Sequence, residues 1–195
     1  MTTTALELED LLTLSSAQLH QLLETGSPPD PEALVGQQWL GSDLSMPALG
    51  HRLLWQTFRK TFVRDEEHGD VRGWNVKLEQ RGTRGPQVPL RRPDGTEKAF
   101  AHYRLRFGDD IAWPKGLRCA AYLDYTIAGN PFPENLTYTP IVSVNGDAND
   151  LLLGWEVVKL GRRLFGPRLY WAIRPDGPLE TMATPKHAPR LGTGG

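Results

Sequence analysis

The chain has one cysteine, Cys119. A single thiol forms no internal disulfide and is too few for a cysteine-based metal site, so a buried core has to hold the fold. At 195 residues the chain is long enough for that, since a domain of this size buries roughly 70% of its unfolded surface. No apolar run reaches the length of a membrane span, and the first ten residues carry acids where a secretion signal carries bases. Net charge is −1, so no global field draws the chain to nucleic acid or to a membrane surface. These absences read together as a cytoplasmic protein with no membrane or nucleic-acid partner. Oligomeric state is left open.

Catalytic signatures are equally scarce. The histidines (His20, His51, His68, His102 and His187) stand at no metal-ligand spacing, and no HExxH motif accompanies them. Ser42, Asp43 and Ser45 lack a nucleophile-elbow context, and Gly161-Arg162-Arg163 follows no P-loop pattern. Cys119 alternates with core residues. The expectation is no metal, no cofactor and no assigned catalytic residue.

What is present is β-pattern, glycine and proline. Residues 1–32 form an acidic segment with no Lys or Arg, in which Leu19, Leu22 and Leu23 follow the capping serines Ser15 and Ser16. Gly26 stops that helix, and Pro28, Pro29 and Pro31 prevent its resumption. The leucines are expected to cover an edge or end of the main domain, and one option lays the segment on the basic stretch at 81–106. Residues 33–174 are the main domain. A strand is expected over 33–44 with Trp39 central. Residues 47–63 read as a capping helix, because Leu54, Trp55, Phe58 and Phe62 share a helical face. Alternation then marks strands at 71–80, 100–107, 117–127, 138–144, 151–160 and 168–174, with turns at Asp94-Gly95 and Asn145-Gly146. Trp74, Val76 and Leu78 share one face of their strand. From Pro175 to 195 the prolines and glycines read as a flexible tail. Strands that follow one another through turns, without crossover helices, exclude a parallel sheet. The fold class is therefore mainly β: an antiparallel lipocalin- or calycin-like barrel with an N-terminal helical segment and one capping helix.

Residues 28–41, PPDPEALVGQQWLG, resemble the start of the bacterial GXWXG-type proteins, and residues 119–125, 140–144, 151–156 and 169–173 are similar to the later half of that family. The resemblance covers residues 28–174. It implies a small lipocalin-like barrel whose first strand carries a plugging tryptophan, here Trp39. It implies no activity.

An eight-stranded barrel encloses room for one small ligand. Trp74, Tyr103, Tyr125 and Trp155 are candidate pocket walls, with Glu156 or Asp124 as polar anchor. Alternation sends Asp124 outward when Leu123 and Tyr125 point in. Glu156 shares a face with Leu152, Val158 and Leu160, while Leu151, Leu153, Trp155 and Val157 have equal claim to the interior. The leading expectation is a binding protein for a small apolar or aromatic molecule. The alternatives are a cofactor-free isomerase or cyclase in a biosynthetic pathway, and a peptide- or protein-binding accessory factor using the basic 81–106 region.

Overall fold

Three short helices open the chain: α1 (Leu8–Leu11), α2 (Ser16–Thr25) and α3 (Pro31–Leu34). α2 starts where the Ser15 hydroxyl accepts from the Gln18 backbone N–H while the Gln18 side chain accepts from the Ser15 N–H, a capping box. It ends at Gly26, which is extended (φ −71°), not left-handed. Glycine is needed there for space, since a Cβ would sit 2.6 Å from Val142. The computed structural model describes residues 5–45, 56–83, 85–109, 111–126 and 129–183.

Ten strands follow: β1 (Gln37–Asp43), β2 (Thr57–Asp65), β3 (Asp70–Lys77), β4 (Ala99–Phe107), β5 (Ala121–Asp124), β6 (Thr137–Ser143), β7 (Leu152–Trp155), β8 (Val157–Leu160), β9 (Arg163–Phe165) and β10 (Tyr170–Pro178). Neighbours pair in the order β5-β4-β3-β2-β1-β10-β7-β6, and β5 also pairs with β6. The eight strands therefore close into an antiparallel barrel. β8 continues from β7 after a break at Glu156, pairs with the first residues of β6, and carries β9 as a hairpin outside the closed ring.

Closure creates two kinds of buried face. Leu34, Trp39, Phe62, Leu105, Ile141 and Ile173 belong to the cluster that fills the lumen. A second cluster lies on the outside. Leu8, Leu11, Leu19 and Leu23 of the helices cover Val142, Leu151, Leu153, Trp155, Tyr170 and Ala172, the outward residues of β6, β7 and β10. A third, smaller one joins Val63, Trp74 and Val76 to Leu179 and Ala183, which follow β10. The leucines thus cover a side wall of the barrel, not an edge or an end, and not the basic stretch. Within that stretch, Arg81 pairs with Glu79, Arg91 with Glu97, and Arg104 and Arg106 with Asp70.

The helix expected over 47–63 is corrected. Residues 46–55 lie outside the described residues, but Thr57 onward is strand β2. Phe58 and Phe62 are four apart, a spacing that suits one face of a helix and one face of a strand alike. The strand expected from 33 begins at Gln37, because Pro31–Leu34 forms α3 with Asp30 capping the Glu32 N–H. Residues 117–120 precede β5, and Leu117 and Cys119 pack in the outer cluster, not with Leu123 in the lumen. The last strand runs on to Pro178.

Lumen glycines make room for rings. A Cβ on Gly154 would run into the Trp171 indole, and one on Gly41 into the Phe58 ring. Gly154→Ala is expected to cost about 1–3 kcal/mol by overpacking. Leu23→Ala, which opens the outer cluster, is expected to cost about 2–5 kcal/mol. Urea denaturation of the two variants measures both.

Candidate functional site

β1, β3, β5 and β7 end, and β2, β4, β6 and β10 begin, at the same end of the barrel. The opposite end is packed solid by Leu34, Trp39 and Phe62, all essentially unexposed. Near the first end the inward positions are different in kind. Pairing sets Lys60 opposite Trp39 on one side and Asn75 on the other, so all three share the lumen face. The lumen there holds a cavity of about 250 Å³. Its walls include Phe58, Tyr125 and Trp171, and its polar lining includes Asp43, Lys60, Asn75 and Glu156. A β-bulge shapes one wall: Trp74 of β3 faces two residues of β4, and Ala101 takes a positive φ of 43°, which sets Phe100 and Ala101 on the cavity.

Lys60 dominates this end. Lys60 is 2% exposed, and its Nζ donates to Asn75 Oδ1 at 2.8 Å and to the Tyr125 hydroxyl at 2.7 Å. Asn75 is held in that orientation because its Nδ2 donates to the Ala101 carbonyl. Four rings surround Nζ: Trp171 at 4.5 Å, Tyr103 at 4.8 Å, and Phe58 and Tyr125 at 5.4 Å. Cation–π attraction favours the charged amine, but burial opposes it more strongly. Burial pulls the Lys60 pKa from 10.5 down to about 7, with the negative charge of Glu156 working the other way. The Glu156 carboxyl is pushed up, first by burial and then by Asp43 and Glu134, with Lys60 opposing. Burial also raises the Tyr125 hydroxyl. An amine whose charged form burial disfavours and a carboxyl whose charged form burial disfavours therefore line one cavity. Such a pair has the chemistry to accept and donate a proton.

No family model, curated protein or solved structure matches this chain. What it has in common with known architectures is the closed eight-stranded antiparallel barrel itself.

The residues singled out by sequence are divided by the fold. Glu156 and Tyr125 line the cavity, and Tyr103 lies beneath it in the lumen, its hydroxyl donating to the Thr61 carbonyl at 2.8 Å. Trp155 faces the other way. It stacks on Tyr170 at 6.0 Å under α2, and its indole N–H donates to the Pro167 carbonyl. Trp74 also points outward, where it lines a separate surface groove beside His102, Arg92 and Met182. There the expected inward face of β3 is reversed, and its polar partner Asn75 is the one in the lumen. Asp124 points outward as alternation required, and its Oδ1 accepts from the Thr126 N–H and hydroxyl. It anchors a turn, not a cavity. Asp65, Glu67 and His68 gather within 4.8 Å on a surface turn, where Asp65 already pairs with Arg104 and His68.

Lys60 and Asn75 escaped the sequence reading. Lys60 fell in the segment read as helix, and Asn75 on the face opposite Trp74, Val76 and Leu78. The available signal was the run Phe58-Arg59-Lys60-Thr61-Phe62: taken with period two, it puts a lysine between two inward phenylalanines.

The amine leaves a mark on stability. Between pH 7 and 10.5 folded Lys60 binds fewer protons than unfolded Lys60, so its contribution to stability rises with pH across that window. Wild-type protein is therefore expected to gain on Lys60→Met by on the order of a few kcal/mol from pH 7 to pH 10. Urea denaturation at several pH values reads the difference; a constant gap would mean that Lys60 keeps an ordinary pKa.

Proposed function

We propose that the protein binds a small apolar or aromatic molecule inside the barrel, in the manner of a lipocalin-like binding protein. The observation that carries this reading is the cavity itself: an aromatic-walled space of about 250 Å³ at one end of a lumen otherwise packed solid. A dry cavity of roughly 150 Å³ already holds benzene. Small-molecule sites combine such apolar walls with a few convergent polar groups. Here Lys60, Asn75 and Glu156 are the anchor, Phe58, Tyr125 and Trp171 the walls. Asp124, Trp74 and Trp155 have no part in it. The resemblance to GXWXG-type barrels agrees with this reading through Trp39, which lies in the packed half of the lumen. A cytoplasmic location belongs to the same proposal.

A second reading is supported by the paired Lys60 amine and Glu156 carboxyl, which suit a cofactor-free isomerase or cyclase. The peptide-binding alternative loses support, because Arg81, Arg91, Arg104 and Arg106 are each engaged by a carboxylate.

Native mass spectrometry with 2-naphthylmethanol as probe tests the binding reading. Wild-type protein is expected to carry one molecule. Thr137→Phe, which places a ring in the cavity, is expected to lower affinity at least tenfold. Equal binding by that variant would move the site out of the barrel.

A further inference from the structure

Lys60 has more chemistry than a binding anchor needs. A neutral amine carries two hydrogens, and Nζ has two acceptors, Asn75 Oδ1 and the Tyr125 hydroxyl. Among the described residues its remaining tetrahedral position has no hydrogen-bond partner, and no ion pair within 4.0 Å joins Nζ to a carboxylate. In the neutral amine that position is the lone pair. An amine desolvated in an apolar pocket is an activated nucleophile toward carbonyl carbon. The amine and the Glu156 carboxyl line the same cavity.

We propose that the cavity takes an aldehyde or ketone and that Lys60 captures it as a Schiff base; this rests on the binding reading above and names the class of ligand. The Lys60 Nζ lone pair attacks the carbonyl carbon and forms the C–N bond, while the C=O π pair moves to oxygen. The oxygen takes the proton that nitrogen sheds, which gives a neutral carbinolamine. Glu156 then protonates that hydroxyl, which leaves as water as the nitrogen lone pair closes the C=N bond. One carbonyl compound, one amine and one carboxylic acid become an iminium, a carboxylate and water. No oxidant or reductant is consumed. The iminium charge keeps a counter-ion in Glu156 on the cavity wall and the aromatic faces of Trp171 and Tyr103 that already surround Nζ. The reaction stops at capture, with water the only molecule released, so it fits a carrier or sequestering protein for reactive carbonyl compounds. The same iminium is the usual first step for an isomerase acting beside a carbonyl group.

Reductive trapping tests it on the full chain. The protein is incubated with 2-naphthaldehyde and cyanoborohydride at neutral pH, digested, and mapped by mass spectrometry. Lys77, Lys98, Lys115, Lys159 and Lys186 are internal controls in the same chain. The expected result is an adduct on Lys60 formed at least tenfold faster than on any other lysine, absent in Lys60→Met and slowed at least tenfold in Glu156→Gln. The wild-type map decides alone if Lys60→Met does not fold. Equal labelling of all lysines overturns the proposal. So does an unlabelled Lys60 in a protein that still binds 2-naphthylmethanol, and in that case the binding reading stands. If neither aldehyde nor alcohol binds, both readings fall.

Discussion

Every other feature depends on the pairing of β5 with β6, in which Tyr122, Leu123 and Asp124 face Pro140, Thr139 and Tyr138. That short ladder turns an eight-stranded sheet into a ring. It removes two open edges and divides every strand into a lumen face and an outer face. Without it, Lys60 and Glu156 would stand on a sheet open to water, where neither would have reason to leave its ordinary pKa. With it, both sit where desolvation outweighs the attraction between them.

The lumen is filled unevenly. One half is an ordinary packed core of Leu34, Trp39, Phe62 and Ile173. In the other half, lumen-facing glycines accommodate the rings of Phe58 and Trp171, and the remaining space has a few polar groups among aromatic walls. A buried amine and a half-buried carboxyl that are not in direct contact cost stability, and a core built for stability alone would use apolar side chains of the same volume. Among the described residues the buried Arg59 and Glu97 pair with each other, whereas Lys60 and Glu156 form no such pair and stand where the barrel is hollow. The coincidence is the strongest argument that the hollow end carries function.

The outer surface solves a different problem. β6, β7 and the first residues of β10 are covered on their outer face because α1 and α2 lie across them, with Trp155 and Tyr170 stacked beneath the leucines. The same covering occurs on a smaller scale where Leu179 and Ala183 pack over Trp74. The large aromatics are thus shared between lumen and outside. A tryptophan on a strand was no guide to which side it faced.

The fold class, the antiparallel connection of successive strands, the capping of α2 by Ser15 and the outward position of Asp124 were all legible in the sequence. Each follows from local chemistry: period-two alternation, turn residues, a side chain that bonds its own backbone. So was the polar break at Glu156, although not its direction. Tertiary structure alone decided which face of each strand was the interior. Leu151 to Val157 alternate between two apolar faces, and alternation tells such faces apart only when one of them meets water. It also decided that 57–63 is a strand, since Phe58 and Phe62 satisfy either period until β1 and β3 pair on each side. Lys60 became a site residue by that pairing, which brings it together with Asn75, Tyr125 and Glu156 from three other parts of the chain.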